Sequence, residues 1–369
     1  MDFSSALQQI KQKHLYRTPK VSASAQAVKM VIDNKPVINF CSNDYLSLAN
    51  HTELKSALKK GVDQYGVGSG ASHLVSGHSQ AHQALEQALA EYTQQPRALL
   101  FSSGYSANLG VFSALRDELD WVLQDKLNHA SLIDANQLIG LPLQRYLHNN
   151  LDALEKKIQK QSGAGLVVSD HVFSMDGDRA DISAMQQITN SANALLMQDD
   201  AHGFGIFEPN IPQGSIYMAT LGKALGTQGA FVAGDEDLIE FLIQKSRPYT
   251  YTTAIAPAIC VATLKALELV QRGEQRAKLM ANIDFFQQYS SALDLPIIQS
   301  PSAIQPLMIG DSAKALSLSQ SLLDQGLYVS AIRSPTVPKG TERLRITLNA
   351  GHTQSQIEQL LNQIKHALH

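Results

Sequence analysis

Cysteine is scarce in this chain. Its 369 residues include two, Cys41 and Cys260. They form no metal-ligand spacing and no disulfide framework, so a reducing cytoplasm fits. Excess charge of either sign is also missing. Thirty Lys and Arg against 33 Asp and Glu leave a formal −3, which gives no electrostatic case for nucleic acid or an anionic membrane. Long apolar runs are absent. The most apolar stretch, 254–270, is broken by Pro257, Lys265 and Glu268, so it is no simple membrane span. The first twenty residues mix Asp2, Lys11, Lys13, His14 and Arg17 with apolar residues and lack the apolar centre of a secretory signal. No HExxH and no GxSxG occurs, which counts against zinc proteases and nucleophile-elbow hydrolases.

What is present is an alternation of short apolar strands and helical stretches. The length calls for two domains, or one large domain with an appendage. Residues 4–16 read as an amphipathic helix. Residues 28–32 and 37–40 read as a hairpin around Asp33-Asn34-Lys35, a pair with turn chemistry. Ser79 is placed to cap a helix that carries Ala81, Leu85, Ala88, Leu89 and Tyr92 on one face. Strands are expected at 98–101, 121–123, 166–169, 194–198 and 230–233. That pattern is α/β, with a mostly parallel sheet covered on both faces. Beyond Thr250 a long helical stretch precedes strands near 305–309, 327–330 and 344–348, with helices near 313–325 and 354–367. These make a smaller α+β domain. The expected boundaries are 1–44 for an N-terminal segment packing with the small domain, 45–275 for the large domain and 276–369 for the small one.

Candidate ligand-binding residues collect at the predicted C-terminal ends of strands, where open α/β sheets bind ligands. Ser103, Gly104 and Tyr105 lead from a strand into a helix, whose N-terminal N–H groups suit an anion. His129 follows the next strand and can stack on an aromatic ring, although a structural histidine is the ordinary alternative. Ser174, in Phe173-Ser174-Met175-Asp176-Gly177-Asp178, follows another. Asp199 and His202 end the strand after that. Thr220-Leu221-Gly222-Lys223-Ala224-Leu225-Gly226 comes 20-odd residues later. A lysine among small residues, with a carboxylate and a histidine upstream, suits pyridoxal phosphate (PLP). The amine attaches to the cofactor's aldehyde, and the acid keeps its pyridine nitrogen protonated. The glycine-rich 66–70 segment is a poor dinucleotide fingerprint and reads as a flexible loop near a ligand. His78, His82 and Glu86 are spaced as if for a metal, but read better as a solvated polar face opposite Leu85 and Leu89. No metal site is expected.

With these residues in hand, the chain resembles the α-oxoamine synthases, fold-type I PLP enzymes, nearly end to end. The resemblance runs from Asn39-Phe40-Cys41-Ser42-Asn43-Asp44-Tyr45-Leu46 to Arg343-Leu344-Arg345-Ile346-Thr347-Leu348, through 66–70, 172–178 and 199–203. Segments 302–307 and 331–338 match the member of biotin synthesis that joins L-alanine to a pimeloyl thioester, on coenzyme A or acyl carrier protein, with loss of CO2. The resemblance implies a large domain with a seven-stranded sheet and a PLP cofactor on Lys223. Asp199 then pairs with the ring nitrogen and His129 stacks on the ring. Ser174 and His202 approach the phenolic oxygen, and Gly104, Tyr105 and Thr220 serve the phosphate. It implies a homodimer in which Thr253 reaches a phosphate across the interface. Arg17, Asn43, Arg333 and Thr336, with His129, would meet substrate. Lys223, His129, Asp199 and His202 form the implied catalytic set.

Three places depart from the family pattern. His171 stands where a smaller residue is usual, Ala71-Ser72-His73 varies the glycine-rich loop, and 207–218 is shortened. The alternatives are a glycine C-acetyltransferase-like member, an aminotransferase of the same fold and a non-catalytic PLP-fold binding protein. The last would be expected to lack Lys223 or Asp199, and both are present.

Overall fold

The computed structural model describes residues 2–13 and 15–368. They form two units. One comprises the chain up to Asn50, Met175–Gly177 and everything from Glu274 onward; the other comprises His51–Ser174 and Asp178–Gly273.

The first unit opens with the helix Phe3–Gln12, capped by Asp2. It is shorter than the predicted 4–16, and His14 of that prediction lies outside the described residues. Strands β1 (Lys29–Ile32) and β2 (Lys35–Asn39) pair antiparallel. Asp33 and Asn34 both have positive φ, 48° and 63°, the geometry of a two-residue hairpin turn that matches strand twist.

The second unit is built on seven strands: β3 (Arg97–Phe101), β4 (Trp121–Asp125), β5 (Gln144–Tyr146), β6 (Gly165–Asp170), β7 (Ala194–Asp199), β8 (Ile216–Thr220) and β9 (Ala230–Gly234). Their order in the sheet is β3-β9-β8-β7-β6-β4-β5. β9 runs antiparallel to both neighbours, and the other pairings are parallel. Alternate residues feed two cores, as period-2 side chains must. Val122, Val168 and Met197 join one with Phe112 and Leu132. Leu123, Val167 and Leu196 join the other with Leu154 and Met185. Helices therefore cover both faces, and the polar loops are left at the strand ends.

β5 and β8 escaped the sequence reading. β5 is three residues long at the sheet edge, and Gln144 and Arg145 carry no apolar signal. β8 overlaps the stretch 207–218 that looks shortened against the family, yet it is the strand that delivers Lys223.

The first unit is completed by β10 (Ile304–Met308), β11 (Leu327–Tyr328), β12 (Ser330–Ile332) and β13 (Arg343–Thr347). The strand expected at 327–330 is in fact two. β11 extends the hairpin sheet, parallel to β2, and β12 pairs antiparallel with β13 beside β10. The chain changes sheets at Val329, whose carbonyl accepts from Ser319 Oγ at 2.6 Å.

Among the described residues no helix is long and apolar enough to cross a membrane.

Candidate active site

Asp199 closes β7 and is 5% exposed. The backbone N–H of Ala201 donates to its Oδ1 at 3.0 Å, and Asn108 Nδ2 donates to its Oδ2 at 2.9 Å. Its neighbour Asp200 is committed elsewhere. His171 Nδ1 lies 2.8 Å from Asp200 Oδ1, and the Tyr217 hydroxyl donates to Oδ2 at 2.8 Å. Arg179 Nη2 donates to His171 Nε2 at 3.2 Å, so the His171 proton sits on Nδ1, facing Asp200. The unusual His171 is thus the partner that binds Asp200 into the framework and leaves Asp199 as the acid at the strand end.

Lys223 lies in the loop that joins β8 to β9. That loop is tied at its base: Leu221 N–H donates to Gly229 O at 2.9 Å, Thr227 N–H to Leu221 O at 3.0 Å and Gly226 N–H to Lys223 O at 2.9 Å. Lys223 is half-buried. Its charge reaches two groups across the strand ends. Burial lowers the His129 pKa; Asp199 opposes that shift and Lys223 adds to it. Burial, reinforced by Asp199, raises the Asp170 pKa well above the usual carboxylate range, while Lys223 pulls it back. Asp170 faces Asp199 in the β6–β7 register. Two buried carboxylates side by side do not both ionise readily. Asp170 is the one pushed toward the neutral form.

His129 caps the helix Ala130–Ile139. Its backbone N–H donates to Asp170 Oδ1 at 3.3 Å. Gly104 begins the helix Gly104–Leu115, and Thr220 ends β8. A Cβ on Gly104 would fall 2.7 Å from Thr220 Cγ2. Only glycine lets this helix N-terminus approach the Thr220 side chain so closely. The predicted phosphate pair is therefore brought together. Thr220 Oγ1 donates to Ala201 O at 3.3 Å, and the exposed Tyr105 donates its hydroxyl proton to Asp134. His202 is buried and Ser174 half-buried, in the turns that follow β7 and β6. Thr253 is exposed in the single chain, and its backbone bridges to Ser72.

The substrate candidates all belong to the other unit. Arg17 Nη2 donates to Thr336 Oγ1 at 3.4 Å, and both residues are exposed. Arg333 starts the turn whose carbonyl accepts from Thr336 N–H at 3.0 Å. Asn43 Oδ1 accepts from Arg345 Nη2 at 3.1 Å. Arg345 is buried on β13 and was not singled out from sequence; an arginine inside an apolar strand was the available signal. Asn108 and Ser131 were missed as well. Asn108 is a fully buried amide on the otherwise apolar face of its helix.

The face expected to be solvated is so only in part: His78 is exposed and Glu86 half-buried, but His82 is not solvated. His82 is fully buried, its Nδ1 accepts from Ser79 N–H at 3.0 Å and its Nε2 meets Ile255 O at 2.8 Å. Both ring nitrogens are used in structural bonds.

The family model for class I and II aminotransferases matches residues 35–364. A curated 8-amino-7-oxononanoate synthase of Pseudomonas fluorescens is 49% identical over 98% of this chain and 95% of its own length. One of Methylococcus capsulatus is 49% identical over 100% of this chain and 98% of its own. The chain belongs to the 8-amino-7-oxononanoate synthase family. Members of this family are PLP-dependent acyltransferases, and the fold agrees with that membership. A solved serine palmitoyltransferase from S. paucimobilis, with PLP and myriocin bound, superposes with a TM-score of 0.92 at 27% identity, covering 99% of this chain and 97% of its own. A solved 8-amino-7-oxononanoate synthase from Francisella tularensis gives 0.79 at 33% identity, covering 90% and 98%.

The residues present fit PLP. A buried strand-end carboxylate held by two donors suits a protonated ring nitrogen, a helix N-terminus beside a threonine hydroxyl suits a phosphate, and a lysine follows the neighbouring strand.

Proposed function

We propose that the protein condenses L-alanine with a pimeloyl thioester to give 8-amino-7-oxononanoate, CO2 and the free thiol carrier, a step of biotin synthesis. The near full-length likeness to synthases of that name carries the reading. PLP bound here supplies an electron sink for a carbanion at the alanine Cα, both when a proton leaves and when CO2 leaves.

The chain's own residues do the rest. Lys223 would anchor the cofactor through its Nζ, and the same amine is the base that would take the Cα proton and later return one. Asp199, fixed by Ala201 N–H and Asn108, holds the proton on the ring nitrogen. Without that fixed negative charge the sink weakens. His129 would stack on the ring, and Ser174 and His202 would donate toward its oxygen. Gly104, Tyr105 and Thr220 would hold the phosphate at the helix N-terminus. Arg17, Asn43, Arg333 and Thr336 receive the substrates' carboxylates and the acyl carrier.

The protein works as a homodimer in the cytoplasm, with Thr253 reaching the partner's phosphate. Support comes from Thr253 and the 73%-exposed Tyr251 on one surface segment. The two cysteines, both free, suit a reducing compartment. Sedimentation of the holoenzyme at micromolar concentration tests this, and an active monomer would refute it.

Mass analysis of the products from alanine with pimeloyl-CoA, or with pimeloyl acyl carrier protein, tests the reaction. The expected product is 8-amino-7-oxononanoate with one CO2 per turnover. A clear preference for glycine, or amino exchange with a keto acid and no CO2, would contradict it.

A further inference from the structure

Asp199 and His129 are joined by a side chain to which the reaction above gives only half a role. Asn108 is fully buried on the helix Gly104–Leu115. Its Nδ2 donates to Asp199 Oδ2 at 2.9 Å and to Ser131 Oγ at 2.8 Å. An amide nitrogen has two N–H groups, and both are used. The reverse orientation would set Oδ1 against a carboxylate, acceptor to acceptor. The carboxylate therefore decides which way the amide points. Oδ1 is left without a partner, which shows that the donors, not the acceptor, set the arrangement.

The order continues outward. The Ser131 hydroxyl has one proton. It accepts from Asn108, so its own proton is directed to His129 Nδ1, 2.8 Å away. The Ser131 backbone N–H also points at Nδ1, at 3.3 Å. Nδ1 is therefore an acceptor, and in a neutral imidazole the proton then sits on Nε2.

We propose that Asn108 is a positioning residue that ties Asp199 to His129 through Ser131, so that the bond order begun at the Asp199 side chain enforces the Nε2–H tautomer of His129. Each link runs one way: carboxylate accepts, amide donates, hydroxyl accepts and donates, imidazole accepts. Burial keeps His129 neutral, because it lowers the ring's pKa despite the opposing charge of Asp199. The one acid that serves the cofactor nitrogen thereby also sets which edge of the stacked ring carries a donor.

The consequence for catalysis rests on the roles given to Asp199 and His129 above, but the decisive test does not need the cofactor. In cofactor-free protein labelled with 15N-histidine, the His129 signal is identified by its loss in His129→Gln. The expected ring is the Nε2–H tautomer near pH 7.5. Asn108→Ala and Ser131→Ala should each bring in a measurable Nδ1–H fraction, and Ser131→Thr should restore the wild-type pattern. A wild-type ring protonated on Nδ1, or a ring unmoved in both alanine variants, overturns the proposal. Should Asn108→Ala not fold, Ser131→Ala decides, since it removes a single oxygen. In the PLP-loaded enzyme Asn108→Ala should lower kcat about tenfold, the low end for a residue behind a ligand-holding group, with KM for alanine within about twofold. A loss carried wholly by KM would contradict it. Failure of the condensation reaction itself would leave the tautomer result standing.

Discussion

Asp199 is 5% exposed, with two donors fixed on its oxygens, whereas Arg17 is exposed and meets Thr336 Oγ1 at 3.4 Å. The same contrast separates the two groups of candidates. The cofactor candidates sit at the ends of β3, β4, β6, β7 and β8, held by strand register, helix caps and a chain of side-chain bonds. Arg17 and Thr336 are exposed, and with Arg333 they lie on loops and turns outside any strand or helix. A charge that must stay put in a low-dielectric site needs donors arranged in advance, because reorganising them during the reaction would cost free energy. Groups that admit and release a substrate at each turnover need freedom instead. The difference predicts large losses of rate on one side and modest changes in KM on the other.

Removing the anchor should have the largest effect. Lys223→Ala is expected to cut turnover at least about a thousandfold, the scale of losing a covalent catalyst, as read by steady-state rates with alanine and pimeloyl-CoA. Asp199→Asn comes next. We expect it to retain PLP, since phosphate and lysine contacts remain, but to lose about a hundred- to a thousandfold in kcat. Near-normal turnover would move the role to another acid and undo the comparison.

A third prediction probes the framework beneath the rigid side. Burial disfavours a charged His148, but Asp125 and Asp178, at 2.9 and 2.8 Å, outweigh it and lift its pKa from 6.5 to about 10. A pKa raised in the folded state gives stability that is complete below about 6.5 and is lost as pH rises through about 10. His148→Gln should therefore destabilise the protein by about 1–3 kcal/mol at pH 6.5 and by progressively less toward pH 10. Unfolding midpoints across that range would show it; a pH-independent difference would not fit.

The smallest effect belongs to the open side. Arg17→Ala should raise KM for the thioester by about two- to fivefold, as for an exposed charged contact, with kcat nearly unchanged. A loss of kcat comparable to that of Asp199→Asn would erase the contrast between the two sides.

The clustering of the cofactor candidates at strand ends was legible in the chain because the residues carry their signals locally. Gly104 stands at a strand-to-helix junction, Asp199 ends an apolar run and Lys223 sits among small residues. Apolar runs also marked β3, β4, β6, β7 and β9 to within two residues at either end. What escaped depends on distance in sequence. Asn108, Ser131 and Asp199 are 23 to 91 residues apart along the chain, and nothing in their local patterns announces that they touch. His82 looked solvated because its periodicity is polar, but its partner, the Ile255 carbonyl, arrives from 173 residues away. β8 was overlooked although its Ile216-Tyr217-Met218-Ala219 run is apolar and fully buried. The split of β11 from β12 at Val329 reflects a choice between two sheets that a single apolar run cannot express.

The central claim is that the strand-end cradle holds PLP on one lysine. Borohydride reduction of the holoenzyme, followed by proteolysis and mass mapping, tests it most directly. The account predicts a single pyridoxyl group, on Lys223, with the visible absorption band abolished. A label on any other lysine would contradict it.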